Sequence, residues 1–327
     1  MLISLKLKFQ AELILRPVSP FSFDPSMHKP DHFPSQDTKW EPNIRWQTMF
    51  WQGKLLGLKF ENKGTVAKPK VKLTVFSDNE VDSEFIDRLT REIDYRYDFG
   101  ADLSKFTRQF KKDKQLGPII KKWSGMRIMS PQSLYEYLVI GIVLQNCTVR
   151  RSISMMQTLF EKFGKAVEFD AMRFYCFWEP KNLLKVSEEE LRALKVGYRA
   201  KSLLRITEPF TRGEIDELKL REEGKDKQRE VLISLYGIGP ATVGYILFDV
   251  FKHYDELKHI SPWEQKIYSK LFFNVDSENS VPVEKLLNLF EKRYGKYKML
   301  AVHYIWEDLW WKRKNEQIPW LEKLIRA

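Results

Sequence analysis

Hydrophobic positions recur along the chain with two different periods, and the change of period divides it. Near the start, apolar side chains alternate with polar ones, as in Ile3, Leu5, Leu7 and Phe9 against Lys6 and Lys8. Successive strand residues face opposite ways, so this alternation predicts strands. They are expected at residues 3–15, 46–52, 54–61 and 71–76, with turns at Gln52-Gly53 and Asn62-Lys63-Gly64. Residues 17–42, rich in Pro, Ser and Asp, read as a long surface loop. From about Ser83 the spacing becomes helical: Phe85, Ile86, Leu89 and Ile93 share one face, and Leu134, Leu138 and Ile142 another. Ser130-Pro131 reads as an N-cap followed by Pro in the first helical position, and Ser187 as an N-cap ahead of three glutamates. The expected fold class is α+β: an antiparallel β-rich domain over residues 1–90, then an all-helical body over residues 91–327.

Composition narrows the partners. The 327 residues, 43% hydrophobic, suffice for a sizeable core. The most apolar run, residues 137–144, stops at Gln145 and Asn146, short of the roughly 18 to 20 apolar residues of a membrane helix. The strand-like start does not read as a signal peptide, so an intracellular protein (cytoplasm and nucleoid, or nucleus) without membrane association is expected. Two cysteines, Cys147 and Cys176, are too few for a disulfide framework, a four-thiolate cluster or a structural zinc site, so no metal is required. Lys and Arg total 55 against 44 Asp and Glu, a net charge of +11, which suits a chain that neutralises phosphates.

The sharpest local signal is Leu235-Tyr236-Gly237-Ile238-Gly239. It is expected to be a tight turn between a helix ending near Ser234 and a second helix that starts at Pro240 and runs through Thr242, Tyr245 and Ile246. Two glycines permit positive φ and close approach to a phosphate, and Pro240 presets a helix start whose free amides face the anion. An ordinary helical hairpin would satisfy the same residues.

The segment resembles the hairpin of the HhH-GPD superfamily of DNA glycosylases, in which Leu-x-Gly-(Ile/Val)-Gly-x-x-Thr precedes a loop and then an acidic residue that opens a helix. Residues 259–267, His-Ile-Ser-Pro-Trp-Glu-Gln-Lys-Ile, supply that continuation. The chain looks most like the 3-methyladenine and 8-oxoguanine branches, which place a β-rich unit before the helical body. The resemblance implies two helical subdomains flanking a cleft, with the hairpin over residues 229–251. It also implies double-stranded DNA with a damaged base as partner, a monomer, and no required cofactor, with room for a monovalent cation at the hairpin.

The implied roles fall on particular residues. Gly237, Ile238, Gly239 and Thr242 would grip the backbone. Glu264 stands where the superfamily normally has aspartate, and 23 positions separate it from Ala241, a few more than the family pattern; a shifted register makes Asp255 the alternative carboxylate. Ala241 occupies the position of the lyase lysine, which implies a monofunctional enzyme using water. Tyr245 and Trp306 match pocket-lining aromatics suited to alkylated purines. Gln145 and Asn146 match the wedge, and Asn146, Tyr198 and Arg199 resemble the residues that hold an orphaned cytosine opposite 8-oxoguanine. Three readings stay open: a glycosylase for alkylated purines, which is favoured; an 8-oxoguanine-type glycosylase acting opposite cytosine; and a catalytically silent, structure-specific DNA-binding protein.

Overall fold

The computed structural model describes residues 4–30 and 35–326. Ile3 of the first predicted strand and residues 31–34 of the predicted loop lie outside the described residues. The strands are β1 (Leu5–Lys6), β2 (Phe9–Leu15), β3 (Thr38–Glu41), β4 (Ile44–Trp51), β5 (Lys54–Asn62), β6 (Val71–Ser77), β7 (Lys165–Phe169) and β8 (Met172–Cys176). The first helices are α1 (Phe23–Met27), α2 (Ser83–Tyr97), α3 (Ser104–Phe110), α4 (Leu116–Lys122), α5 (Leu134–Leu144) and α6 (Val149–Phe163). Next come α7 (Pro180–Leu183), α8 (Glu188–Leu191), α9 (Arg199–Thr211), α10 (Glu217–Glu222) and α11 (Lys225–Ser234). The last are α12 (Pro240–Asp249), α13 (Pro262–Phe273), α14 (Val283–Tyr294), α15 (Lys298–Asn315) and α16 (Pro319–Arg326). The expected class, an N-terminal antiparallel sheet before a helical body, is the one observed.

The chain packs as two compact units. The first comprises Met1–Asp102, Ser124–Gly224 and Ser234–Gly237, and the second Leu103–Trp123, Lys225–Ile233 and Ile238–Ala327. In the first, a five-stranded antiparallel sheet runs in the order β2-β6-β5-β4-β3. Alternate residues Leu56, Leu58 and Phe60 of β5 and Leu73 and Val75 of β6 enter one core with Phe85, Leu89 and Ile93 of α2, as the helical spacing predicts. The helical body also contains a hairpin that the periodicity did not reveal. β7 pairs antiparallel with β8 and parallel with β1, making a three-stranded sheet. A Cβ on Gly57 would come within 2.5 Å of the Phe169 ring, so the bare glycine lets β7 lie against the large sheet.

The described part of the segment over residues 17–42 is not a surface loop. Phe21, Phe23 and Met27 are buried in the sheet core, and β3 extends the sheet by pairing with β4. Buried Arg127 donates Nη2 hydrogen bonds to the carbonyls of Val18 (2.7 Å) and Pro20 (2.9 Å), while Trp40 Nε1 donates to Asp24 (3.1 Å). Pro and Ser content signals irregular backbone; it does not signal exposure.

The helix predicted from Ser130 starts instead at Leu134, with Ser133 as its cap. Ser133 and Glu136 form a reciprocal capping box, which satisfies two amides where Ser130 could satisfy one. Tertiary contacts hold the start as well. Ser130 N–H donates to Arg96 O (2.9 Å), Arg96 Nη1 donates to Pro131 O (2.9 Å), and Leu134 N–H donates to Glu217 (2.7 Å). Arg96 and Arg221 both meet buried Glu92, and Arg221 also binds Glu217. Ser187 caps α8 as expected, again in a capping box with Glu190.

Burial pushes the Glu136 carboxyl up to about 7, against the pull of Arg96 and the Ser133 amide. From its ordinary 4.5 to about 7, the folded chain therefore keeps a proton that the unfolded chain releases. Stability from this group is present at the acid end and is lost as the pH rises, by at most about 1.4 kcal/mol per pH unit. Glu136→Gln retains an acceptor for the Ser133 amide, so denaturant unfolding between pH 4.5 and 7 should show a shallower slope than the parent chain. Identical slopes would show that Glu136 holds no extra proton.

Candidate active site and nucleic-acid interface

The hairpin forms where expected. Leu235 and Ile238 are buried and anchor the turn, and Tyr236 between them is exposed. Only one of its glycines needs positive φ: Gly237 has φ +80°, whereas Gly239 is an extended N-cap at φ −97°. The expectation that both glycines serve unusual backbone angles is corrected accordingly. A Cβ on Gly237 would sit 2.9 Å from Ser202 Oγ, but one on Gly239 would meet nothing within 4 Å. The fold thus requires glycine at 237 and leaves open space at 239. Pro240 is the first residue of α12, whose Val243 N–H bonds Gly239 O at 3.0 Å, so the Ala241 and Thr242 amides lie ahead of the first helical bond.

In the second unit, Ser261 caps α13 and Pro262 begins it. Ser261 N–H donates to Glu264 Oε2 (2.8 Å), and Glu264 N–H donates to Ser261 Oγ (3.3 Å). Glu264 is half-buried, and its carboxylate lies close enough to the Tyr245 phenol for its charge to be felt there. Burial, then the charge of Glu264, pushes the Tyr245 phenol far above its ordinary range. The same causes, in the same order, act on buried Tyr268, with Tyr245 adding to them. Both phenols are thereby kept as O–H groups around an acceptor. The alternative carboxylate, Asp255, is differently engaged. Burial pushes it up, but its ion pair with Lys225 prevails and holds it below the usual carboxylate range.

Trp306, on α15, does not stand alone. Trp263 meets it edge-on at 5.4 Å between ring centroids, Trp310 at 5.7 Å and Tyr268 at 6.1 Å. Trp263 directly precedes Glu264 and is 36% exposed. Sequence reading passed over this residue; the signal that could have found it is an indole in the outward first turn of a helix, where packing gives no reason for one.

In the first unit, Gln145 ends α5, and its Nε2 donates to Gly237 O at 2.9 Å. Asn146 adopts φ +47° and is exposed. Tyr198 is 53% exposed. Arg199, in contrast, is 3% exposed: its Nε donates to Ile142 O (3.2 Å), its Nη2 to Gln145 O, and its guanidinium carbon lies 4.7 Å from the Tyr198 ring. Sequence reading took Arg199 as a hydrogen-bonding side chain for an orphaned base; in the free protein two of its nitrogens are engaged within the chain. Its guanidinium braces the last carbonyls of α5, acceptors that a helix end leaves unfilled. Two further features went unread in the sequence. Lys201 Nζ lies 5.5 Å over the Tyr236 ring, and Arg150 and Arg151 are exposed in the first turn of α6, where the helix dipole disfavours cations. Among the described residues, no group of three or more His, Cys, Asp or Glu side chains could hold a metal ion.

The glycine contrast is testable in the free protein. Gly237→Ala should destabilise the fold by about 1–2 kcal/mol through left-handed backbone strain, with Ser202 crowding added. Gly239→Ala should cost no more than about 1 kcal/mol, the usual cap difference. Thermal unfolding of the two variants checks the order, and equal losses would refute it.

Comparison with known proteins gives this geometry its context. Residues 139–299 match the family described as HhH-GPD superfamily base excision DNA repair protein. A DNA-3-methyladenine glycosylase of Bacillus subtilis is 24% identical over 152 residues, 46% of this chain and 50% of that protein. A probable N-glycosylase/DNA lyase of Methanothermobacter thermautotrophicus is 26% identical over 202 residues, 56% of this chain and 64% of its own length. The chain therefore spans less than two thirds of either curated relative. Among solved structures, a 3-methyladenine DNA glycosylase from Archaeoglobus fulgidus superposes with a TM-score of 0.73 at 16% identity, over 90% of this chain and 97% of that one, which establishes a shared fold. No helix among the described residues is long and apolar enough to cross a membrane.

Proposed function

We propose, from the match of residues 139–299 to the HhH-GPD superfamily base excision DNA repair proteins, that this chain is a DNA glycosylase that removes an alkylated purine by water attack. The observation that carries the reading is the half-buried Glu264 carboxylate, held by the Ser261 amide within that matched region. Gly239 supports the grip on DNA. Nothing in the protein fills the space its Cβ would take, so the bare backbone serves approach from outside by a phosphate, which the Ala241 and Thr242 amides would receive.

In the reaction, the bond from C1′ to the base nitrogen breaks with its electron pair leaving on the base, and the sugar gains oxocarbenium character. Glu264 stabilises that cation and accepts a proton from the water whose oxygen bonds to C1′; the proton passes on to the departing base. Ala241 offers no amine for a Schiff base, so strand cleavage is not part of the cycle. Trp263, Trp306 and Trp310 favour a cationic, electron-poor base through cation–π attraction, and the engagement of Arg199 with backbone carbonyls removes a donor from the opposite-cytosine alternative.

Duplexes carrying 3-methyladenine, 7-methylguanine, hypoxanthine, uracil or 8-oxoguanine, assayed with and without alkali, test the proposal. Alkylpurine release with strand breaks only after alkali is expected. No release from any duplex would leave a DNA-binding protein, and a borohydride-trapped covalent complex would overturn the water mechanism. Glu264→Gln should abolish release while preserving lesion binding; undiminished turnover would pass the role to another carboxylate, Asp255 first. Gly239→Ala should weaken binding to damaged and undamaged DNA alike, since the contact is to phosphate.

A further inference from the structure

We infer that Lys201, poised over the ring of Tyr236, grips a backbone phosphate of duplex DNA, and that Tyr236 is the residue that positions it. The inference rests on the DNA-binding part of the reading above and deepens it by naming a contact additional to the hairpin amides. Lys201 Nζ lies 5.5 Å from the centroid of the Tyr236 ring, and both side chains are exposed, Tyr236 by 47%. Core packing explains neither position. Tyr236 follows buried Leu235 and precedes Gly237, so a large ring stands outward on the turn, where it buries little apolar surface. Lys201 sits in the first turn of α9, where the helix dipole disfavours a cation. Among the described residues no carboxylate pairs with it, whereas Arg192 and Arg212, on either side in the chain, pair with Glu188 and Glu208.

The backbone beneath the pair is braced from two sides. A Cβ on Gly237 would come 2.9 Å from Ser202 Oγ, so the first turn of α9 lies directly against the hairpin. Gly237 O accepts from Gln145 Nε2 (2.9 Å), and Arg199, two residues before Lys201, donates to the carbonyls of Ile142 and Gln145. The end of α5, the start of α9 and residues 234–237 are thus tied together under one exposed ammonium. A lysine stem turns about several bonds, which binding must otherwise fix; attraction to the face of the phenol ring does part of this beforehand. The ring is neutral, so it holds the cation without cancelling its charge, as a carboxylate would. The N–H groups turned away from the ring stay available to an anionic oxygen, and a phosphate suits the compact charge of an ammonium on a chain of net charge +11.

The salt dependence of duplex binding separates the two roles. With the full chain and an undamaged duplex, followed by fluorescence anisotropy over a range of KCl concentrations, Lys201→Gln should make the plot of log Kd against log salt shallower by about 0.9, the share of one phosphate. Binding near ~0.1 M salt should weaken about five- to ten-fold. Lys201→Arg keeps the charge and should keep the slope. An unchanged slope in Lys201→Gln overturns the inference. Tyr236→Leu leaves the charge but removes the ring face, so the slope should stay while affinity falls about two- to five-fold at every salt concentration. Wild-type affinity in that variant would overturn the positioning role. In a Lys201→Gln background, adding Tyr236→Leu should cost little more; an undiminished second loss would show the ring meeting DNA by itself and would also overturn positioning. Both side chains are exposed, so the Tm of each single variant should match the wild type, and a lowered Tm at an unchanged slope would make the pair structural. Failure of the parent reading is distinguishable. A wild-type chain that binds duplex with these slopes yet releases no base loses only the glycosylase reading, whereas alkylpurine release beside an unchanged Lys201→Gln slope removes only the role of Lys201.

Discussion

The reciprocal hydrogen bonds between Ser261 and Glu264 decide where the negative charge of the second unit rests. A capping box normally needs explaining only as a helix start, since it satisfies two amides that would otherwise face water. Here the same two bonds also fix a carboxylate whose charge is felt by Tyr245 on another helix. The motif that begins α13 thus also fixes where the Glu264 carboxylate sits. A glutamate free to sample its rotamers would offer charge to the solvent; one folded onto its own helix start presents it from a defined point.

In the first unit a buried guanidinium has a comparable constraining role. Arg199 fills the acceptors at the end of α5, and the chain immediately beyond turns through Asn146 in a left-handed conformation. Removing a charged group from water has a cost that only several good partners offset, and Arg199 meets that cost with two carbonyls and the face of Tyr198. Asn146 and Tyr198 remain outward in this region. The ion-pair cluster of Glu92, Arg96, Arg221 and Glu217 acts at the opposite end of α5, holding the segment before Leu134 in place.

Much of the fold was legible because it depends on short-range periodicity. Alternation placed β4, β5 and β6 to within two residues, and helical spacing identified the buried faces of α2 and α5. The hairpin and the start of α12 followed from Gly-Ile-Gly-Pro. The failures share a cause. β7 and β8 are five residues each and are stabilised by pairing with each other and with β1, more than 150 residues away in sequence, which no local pattern reports. The loop-like composition of residues 17–42 hid Phe21, Phe23 and Met27, whose burial depends on a sheet formed later in the chain. Ser130 looked like a cap until Ser133, supported by Glu136 and Glu217, proved the better one.

By itself, then, the sequence determined the division into an N-terminal sheet and a helical body, the hairpin ahead of α12, and the residue types at positions 241 and 264. These are properties of residue identity and near-neighbour spacing. Tertiary structure decided what each side chain meets: Arg199 the end of α5, Asp255 the ammonium of Lys225, Glu264 the amide of Ser261, Trp263 the ring of Trp306. Hydrogen-bond partners and exposure arise from contacts between segments distant in the chain. A residue's chemical type can therefore be read from sequence, but whether its donors and acceptors are free depends on which distant groups the fold brings within about 3 Å.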